Sequence, residues 1–231
     1  MARQKKPSGV KQGTGKRNSN RFSARSTGKK ELRKRFVISG EGCCTETQYF
    51  QLLETLYKVV IDVVPHDDTN DPRNVRKRLT TWLDDRENRL KGDDEAWIVV
   101  DRDRGSWSVE TLNEILNFTR KNDSYHLALS NPRIEYWLLL HHEECKGVTD
   151  SNLDHRLKKH VNKKDLKNIH LDDYTHEKIV RATREAKART DCDCTEWPDG
   201  FGQSTLYCLI ERILKAHKQA NFSSETNSSS H

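Results

Sequence analysis

The sequence predicts an α/β fold in which a mostly parallel sheet carries helices on both faces. Short, fully apolar runs alternate with longer stretches whose apolar side chains recur at helical spacing. Strands that are apolar throughout are typical of parallel sheets, because crossover helices bury both faces of such sheets. A mean hydropathy of −0.96 also indicates that part of the 231-residue chain lies outside the packed core.

The elements follow from the spacing of the apolar side chains, which is continuous in strands and recurs every three to four residues in helices. Thr45 can cap the first helix, and Pro72 suits the first turn of the second. The predicted order is a strand over 36–40, a helix over 45–60, a strand over 59–64, a helix over 71–90, a strand over 96–100, a helix over 109–121, a strand over 125–129 and a short helix over 134–140.

Charge is distributed unevenly along the chain. Residues 1–35 contain 13 Lys and Arg but a single acid, whereas the remainder contains 28 basic and 34 acidic residues. A stretch so polar cannot bury enough apolar surface to offset the entropy lost on ordering. We therefore predict four segments: a disordered basic arm over 1–34, a core domain over 35–145, a helical elaboration packed on that core over 146–221, and a disordered polar tail over 222–231.

The cysteines and the hydropathy indicate a protein of the cytoplasm. The six cysteines match no disulfide framework and no CxxC pair, which favours reduced thiols. A zinc site that uses Cys145 with His141 or His142, or one that uses Cys192 and Cys194, is the alternative. No apolar run reaches the roughly 18 residues of a membrane span, and the basic N-terminus lacks the apolar region of a secretory signal.

Two acidic motifs about 60 residues apart carry the main functional signal. Glu41 lies between two glycines where the first strand ends, and Asp101 and Asp103 directly follow the third strand. The carboxyl ends of strands in an open α/β sheet are where ligands bind, and residues two apart in an extended chain point the same way. Carboxylates gathered there favour a hard divalent cation such as Mg²⁺, with Mn²⁺ as the alternative. Solvated acids at strand ends are the competing interpretation.

Two further acids and two arginines lie near these motifs in sequence. Glu46 is in the first turn of the first helix and Glu135 follows the fourth strand. Each could add a metal ligand, or could serve only as a helix cap or ion-pair partner. Arg102 and Arg104 flank Asp103 and could either neutralise the acids or bind a substrate phosphate.

The basic arm is interpreted as a nucleic-acid-binding extension. Its Lys and Arg are interleaved with Ser and Gly and almost no aromatic residues, which favours electrostatic contact with phosphates over base stacking. Lys29, Lys30, Arg33 and Lys34 are the arm residues closest to the core, and we predict that they bind nucleic acid. A solubilising tail is the alternative.

Three motifs taken together resemble the RloB-like family, and the resemblance extends over about residues 35–217. Each motif includes one or two of the acids described above. The motifs are Glu41-Gly42-x-x-Thr45-Glu46-x-x-Tyr49-Phe50, Trp97-Ile98-Val99-x-Asp101-x-Asp103 and Ser130-Asn131-Pro132-x-x-Glu135-x-Trp137-Leu138-Leu139-x-His141.

That family is similar to the Toprim domains of topoisomerases, primases and overcoming-lysogenization-defect nucleases. These domains share an acid after the first strand and an Asp-x-Asp after a later one, which correspond here to Glu41 and to Asp101 and Asp103. The resemblance implies a Toprim-like (Rossmann-like) catalytic core over 35–145. It also implies a metal-dependent nuclease that cuts DNA or RNA, with tRNA among the candidates, as an effector of prokaryotic antiviral defence under the control of a partner AAA or ABC-type ATPase.

Two other hypotheses remain open at this stage. The chain could be a non-catalytic nucleic-acid-binding or sensor subunit in which the arm provides the affinity. It could also be an effector that its ATPase partner keeps silent. A nuclease of this size that cuts both strands would be expected to form a homodimer.

Overall fold

The computed structural model describes residues 33–42, 44–66, 72–102, 107–161, 166 and 168–228. The predicted α/β class is confirmed in this part of the chain, where strands form one sheet and helices cover both of its faces. The strands are β1 (Arg35–Gly40), β2 (Val60–Val63), β3 (Glu95–Asp101), β4 (Tyr125–Asn131) and β5 (Gln203–Ser204). The α-helices are α1 (Thr45–Leu56), α2 (Pro72–Asp84), α3 (Val109–Thr119), α4 (Ile134–Leu140), α5 (Asp150–Leu157), α6 (His176–Arg189) and α7 (Leu206–Ser228).

The sheet is mostly parallel, as predicted. Its strand order is β2-β1-β3-β4-β5, and β1 to β4 are parallel to one another. The two-residue β5 pairs antiparallel with β4, and the N–H groups of the flanking Gly202 and Thr205 donate to carbonyls of β4. From β1 the chain moves first to one side, to β2, and then crosses back to β3. The boundary between β1 and β3 is therefore the point at which the winding direction reverses.

Alternate side chains of the strands enter two separate cores, as the period of two in a strand requires. Phe36 and Trp97 face α1 and the helices of the C-terminal half, including α7. Val37, Ile98 and Val100 face α2 and α3 on the other side. Burying a side chain of this size stabilises the fold by about 1.5–3 kcal/mol, so these paired layers position the strand ends firmly.

The boundaries differ from the sequence prediction at three helices. The second helix, predicted to continue to residue 90, ends at Asp84, where the chain enters a turn. The first helix ends at Leu56 because Tyr57 takes an extended conformation, which leads the chain into β2. At the other end, α7 continues to Ser228 and so includes much of the segment predicted as a polar tail. Side-chain hydrogen bonds one turn apart support that extension, with Ser223 Oγ donating to the carbonyl of Gln219 at 3.1 Å. In the described part of the chain no helix is both long and apolar enough to span a membrane.

The expectation that all six cysteines are reduced is wrong. Cys194 and Cys208 form a disulfide that joins the loop before β5 to the first turn of α7. Cys44, Cys145 and Cys192 are free thiols. The spacing rules could not reveal this pair, because a disulfide between a loop and a helix depends on how the tertiary structure brings the two segments together.

Candidate functional site

The ends of β1 and β3 place two of the predicted acids side by side. The strands are hydrogen-bonded neighbours with Gly40 opposite Val99, and the backbone N–H of Glu41 continues the pairing by donating to the Val99 carbonyl at 3.2 Å. The backbone N–H of Asp101 in turn donates to Glu41 Oε2 at 3.4 Å. Glu41 and Asp101 therefore meet at the reversal point of the sheet, which is where ligands bind in open α/β folds.

A buried tryptophan that the sequence analysis did not single out holds the Glu41 carboxylate. Trp107 is fully buried, and its indole Nε1 donates to Glu41 Oε2 at 2.8 Å. Its backbone carbonyl accepts from Nη1 of Arg102 at 2.8 Å. Trp107 thereby fixes the orientation of the carboxylate. The only signal in the sequence is one large aromatic residue in a polar stretch that follows the second motif.

Glu46 is the most deeply buried acid of the site. It lies in the first turn of α1 and is only 3% exposed, and its Oε2 accepts from the backbone N–H of Gly42. A Cβ atom added to Gly42 would collide with that same oxygen. The glycine is therefore required for the close approach of the backbone to the carboxylate.

Arg78 is a second residue that the sequence analysis missed. It extends from α2 and is almost fully buried, and its Nη2 donates to the Gly40 carbonyl at 2.6 Å. Its positive charge also lowers the pKa of Glu46, in opposition to the larger effect of burial. Nothing in the helical pattern of α2 distinguishes this arginine from its exposed neighbours.

The fourth strand contributes the last acid through the short helix that follows it. The backbone N–H of Ile134, the first residue of α4, lies near Asp101 and lowers the pKa of that acid, in opposition to burial. Glu135 comes next, in the first turn of α4, and Nη1 of Arg133 lies 3.2 Å from Glu135 Oε2. Glu41 and Asp101 of the predicted catalytic set, and the additional candidate ligand Glu135, are thus brought together at the carboxyl end of the parallel strands.

The acids act on one another electrostatically. Burial raises the pKa of Asp101 well above its usual range, and the negative charges of Glu46, Glu135 and Glu41 raise it further. Burial likewise raises the pKa of Glu46 from 4.5 to about 8, with added contributions from Glu41 and Glu135. Like charges held together in a low-dielectric environment favour the uptake of either protons or a cation.

The donor chemistry of the site suits a hard divalent cation, since carboxylate oxygens are the ligands that such ions prefer. Among the described residues, however, no three His, Cys, Asp or Glu side chains are gathered so that they could hold a metal ion. The predicted ligand Asp103 lies outside the described residues, as does Arg104. The predicted zinc alternatives based on the described Cys145, Cys192 and Cys194 likewise correspond to no such group.

A cavity of about 740 Å³ opens next to the acids. Its size falls within the range of small-molecule and cofactor sites. Its wall combines the two strand-end acids with arginines and with the segment that follows β4. The lining residues are Glu41, Asp101, Arg102, Asn131, Pro132, Arg133, Asp150 and Phe201.

Arg102 is buried beside the site and is engaged by protein groups. Besides its bond to the carbonyl of Trp107, its Nε lies 3.3 Å from Asp199 Oδ1. Its guanidinium also lies over the ring of Trp197, 5.3 Å from the centroid. These contacts anchor the segment after β3 to the loop before β5.

The remaining residues predicted to bind nucleic acid lie elsewhere. Lys29 and Lys30 lie outside the described residues. Arg33 is exposed, and the Nζ atom of Lys34 lies 2.6 Å from Glu95 Oε1. Since β3 begins at Glu95, Lys34 lies at the amino end of the parallel strands, whereas Glu41 lies at their carboxyl end.

The comparisons with known proteins show the family. The model of the RloB-like protein family matches residues 36–213, which includes every strand end described above. The chain therefore belongs to the RloB-like family. No curated protein and no solved structure matches it significantly.

Proposed function

We propose that this RloB-like protein is a metal-dependent nuclease that hydrolyses phosphodiester bonds in DNA or RNA. The observation that carries the proposal is the meeting of Glu41 and Asp101 at the reversal point of the sheet, within a group of acids whose charges and burial raise the pKa of Asp101 and of Glu46. Buried acids with a raised pKa that line a cleft are a common feature of functional sites.

In this proposal Asp101 and Asp103 would hold a Mg²⁺ or Mn²⁺ ion, with Glu41, and in part Glu46 and Glu135, adding negative charge. When bound, such an ion supplies charge stabilisation for the phosphoryl oxygens and an acidified water. The contribution of the chain itself is preorganisation. Trp107 fixes the Glu41 carboxylate, which also accepts from the backbone N–H of Asp101, so the two strand ends are held together before a substrate arrives.

The mostly parallel order β2-β1-β3-β4 and the acids at the ends of β1 and β3 support a Toprim-like assignment. From that assignment and the family resemblance we further propose that the protein is an effector of prokaryotic antiviral defence. A partner AAA or ABC-type ATPase would control it, and a homodimer would allow both strands of a duplex to be cut.

The test is cleavage of plasmid DNA, single-stranded DNA and total tRNA with Mg²⁺, Mn²⁺ or EDTA. Wild type is compared with Glu41→Gln and Asp101→Asn, which remove charge at nearly constant volume. Glu114→Gln, an exposed acid on α3, is the matched control. We expect cation-dependent cleavage by wild type and by the control, and a loss of at least about 100-fold in the two site variants. Equal cleavage by all four folded proteins would contradict the proposal.

A second candidate is a non-catalytic nucleic-acid-binding subunit, which the 13 basic residues within positions 1–35 favour. In that case, binding would weaken steeply with salt and would be lost on deletion of residues 1–30. Cleavage by the wild-type protein, alone or co-expressed with the neighbouring ATPase, would exclude this candidate.

A further inference from the structure

A second cavity, of about 470 Å³, lies beyond the far end of α4. It opens where that helix ends, between the residues that follow α5 and the first two turns of α6. Three histidines and three basic side chains line it, together with a single acid. The lining residues are His141, His142, Lys159, His160, Glu177, Lys178 and Arg181.

The cavity carries an excess of positive charge. Lys178 and Arg181 project from α6 and are half-buried, and Lys159 adds a third cation from the residues after α5. Within the described chain, no carboxylate lies within 4.0 Å of these three side chains. Lys178 Nζ donates to the carbonyl of Asp173 at 2.9 Å, which positions the ammonium but does not neutralise it. Half-buried cations without a counter-ion favour the binding of an anion.

Two stacked imidazoles form one wall of the cavity. The rings of His142 and His160 are nearly parallel, with centroids 5.2 Å apart. Glu143 orients His160, with Oε2 lying 3.3 Å from Nε2, and Arg156 lies 2.6 Å from the other Glu143 oxygen. Glu143 therefore holds the His160 ring in place. Its negative charge is balanced by the ion pair with Arg156.

His142 has a ring nitrogen whose hydrogen-bonding capacity is not used by the described residues. Its Nε2 is shielded from solvent and has no hydrogen-bond partner among the described residues. Burial, with added contributions from the charges of Lys178, His160 and Arg181, lowers the pKa of His142 to about 4. The ring is consequently neutral at physiological pH and able to share a hydrogen bond. A buried polar atom without a partner is uncommon in native proteins.

We propose that this cavity binds a phosphate group, with Lys159, Lys178 and Arg181 supplying the charge and His142 a hydrogen bond. The phosphate would be carried either by a nucleic-acid strand or by a free nucleotide. The site is distinct from the acidic one, because Glu135 and His142 are seven positions apart along α4 and the turn that follows it, a distance of about 10 Å along the helix axis. It therefore goes beyond the proposed cleavage chemistry and can be tested without it.

The first measurement is an NMR titration of the full-length protein with sodium phosphate at constant ionic strength, following the ring signals of His142 and His160. We expect both rings to shift and saturate with phosphate, but not with an equal addition of sodium chloride. In the double variant Lys159→Ala/Arg181→Ala, the apparent affinity should fall at least tenfold. Lys91→Ala/Lys121→Ala, which removes two exposed cations remote from the cavity, should bind as wild type does.

Two further arms distinguish the source of the phosphate. A nucleoside triphosphate and a single-stranded oligonucleotide without terminal phosphates are titrated separately, and each is tested for loss of binding in Lys159→Ala/Arg181→Ala. The source of the phosphate is the probe that binds wild type more tightly than inorganic phosphate does and that loses this affinity in the double variant. Absence of ring shifts with all three probes, or equal shifts in the double variant and in wild type, would overturn the proposal.

Discussion

Glu46→Gln should remove a pH-dependent loss of stability that the acidic site causes. Burial and the neighbouring Glu41 and Glu135 raise the pKa of Glu46 from 4.5 to about 8, so the folded protein holds this proton more tightly than the unfolded chain does. The stability associated with this group is therefore fully present below pH 4.5 and is lost as the pH rises to about 8. At roughly 1.4 kcal/mol for each pH unit, the interval corresponds to a ceiling of about 5 kcal/mol.

Glutamine resembles the protonated form of Glu46, and its carbonyl oxygen can still accept from the Gly42 N–H. We therefore expect wild type and Glu46→Gln to have similar unfolding free energies near about pH 5, and the variant to be several kcal/mol more stable near about pH 8. The assay is urea unfolding at a series of pH values, with Glu114→Gln on the exposed face of α3 as the matched control. If the difference between variant and wild type stayed constant over this pH range, the account of Glu46 as a buried, proton-binding acid would be refuted.

Three other substitutions test separate contacts. Trp107→Phe removes the N–H that fixes Glu41 and should cost about 1.5–3 kcal/mol in urea unfolding, as expected for a hydrogen bond to a charged group. Gly42→Ala places a methyl group against Glu46 and should lower the free energy of unfolding, measured in urea, by about 1–3 kcal/mol. The loss should be smaller in a Glu46→Ala background, where the colliding oxygen is absent. Replacing Cys194 by Ser opens a closed loop of about 15 residues and should cost up to about 3 kcal/mol without a reductant, and little with one.

Each of these changes has a matched control or a contradicting result. Trp82→Phe controls for Trp107→Phe, because the indole N–H of Trp82 has no hydrogen-bond partner in the described chain and its loss should cost less. Cys192→Ser controls for the disulfide variant, since Cys192 is a half-buried free thiol in the same loop. Equal losses in Trp82→Phe and Trp107→Phe would contradict the role assigned to Trp107. If Gly42→Ala cost as much in the Glu46→Ala background as in wild type, a collision between the new methyl group and Glu46 would not be the cause.

The strands and helices of the core could be predicted because their signals are local. Strands that are apolar on both faces appear as continuous runs, so β1 and β3 were identified to within one residue at each end. The adjacency of Glu41 and Asp101 followed from the rule that parallel strands end at the same edge. By contrast, β5 has only two residues and is defined by its antiparallel contact with β4, a tertiary feature with no local pattern.

The supporting residues of the site could not be predicted for a related reason. Arg78 lies on an amphipathic helix with three other basic residues, Arg73, Arg76 and Lys77, and only the packing of α2 against β1 brings it to the Gly40 carbonyl. Trp107 and Asp199 are 92 positions apart, yet both contact Arg102. Sequence motifs indicate which groups perform chemistry, whereas the groups that orient them are selected by three-dimensional proximity.

The acidic site lowers the stability of the fold, yet other residues hold its acids in place. This combination argues that the site has a function. Bringing Glu46, Asp101 and Glu41 together raises the pKa of the buried acids, and this opposes folding wherever these groups must ionise. Nevertheless, the buried Trp107 donates a hydrogen bond to Glu41, and Gly42, where a Cβ atom would collide with Glu46, donates one to Glu46. Packing the same positions with apolar side chains would stabilise the fold more. A ligand that prefers negative charge, such as a divalent cation, would turn this unfavourable arrangement into a favourable one. Mg²⁺ should therefore stabilise wild type more near about pH 8 than near about pH 5, and should stabilise Asp101→Asn less than wild type at either pH.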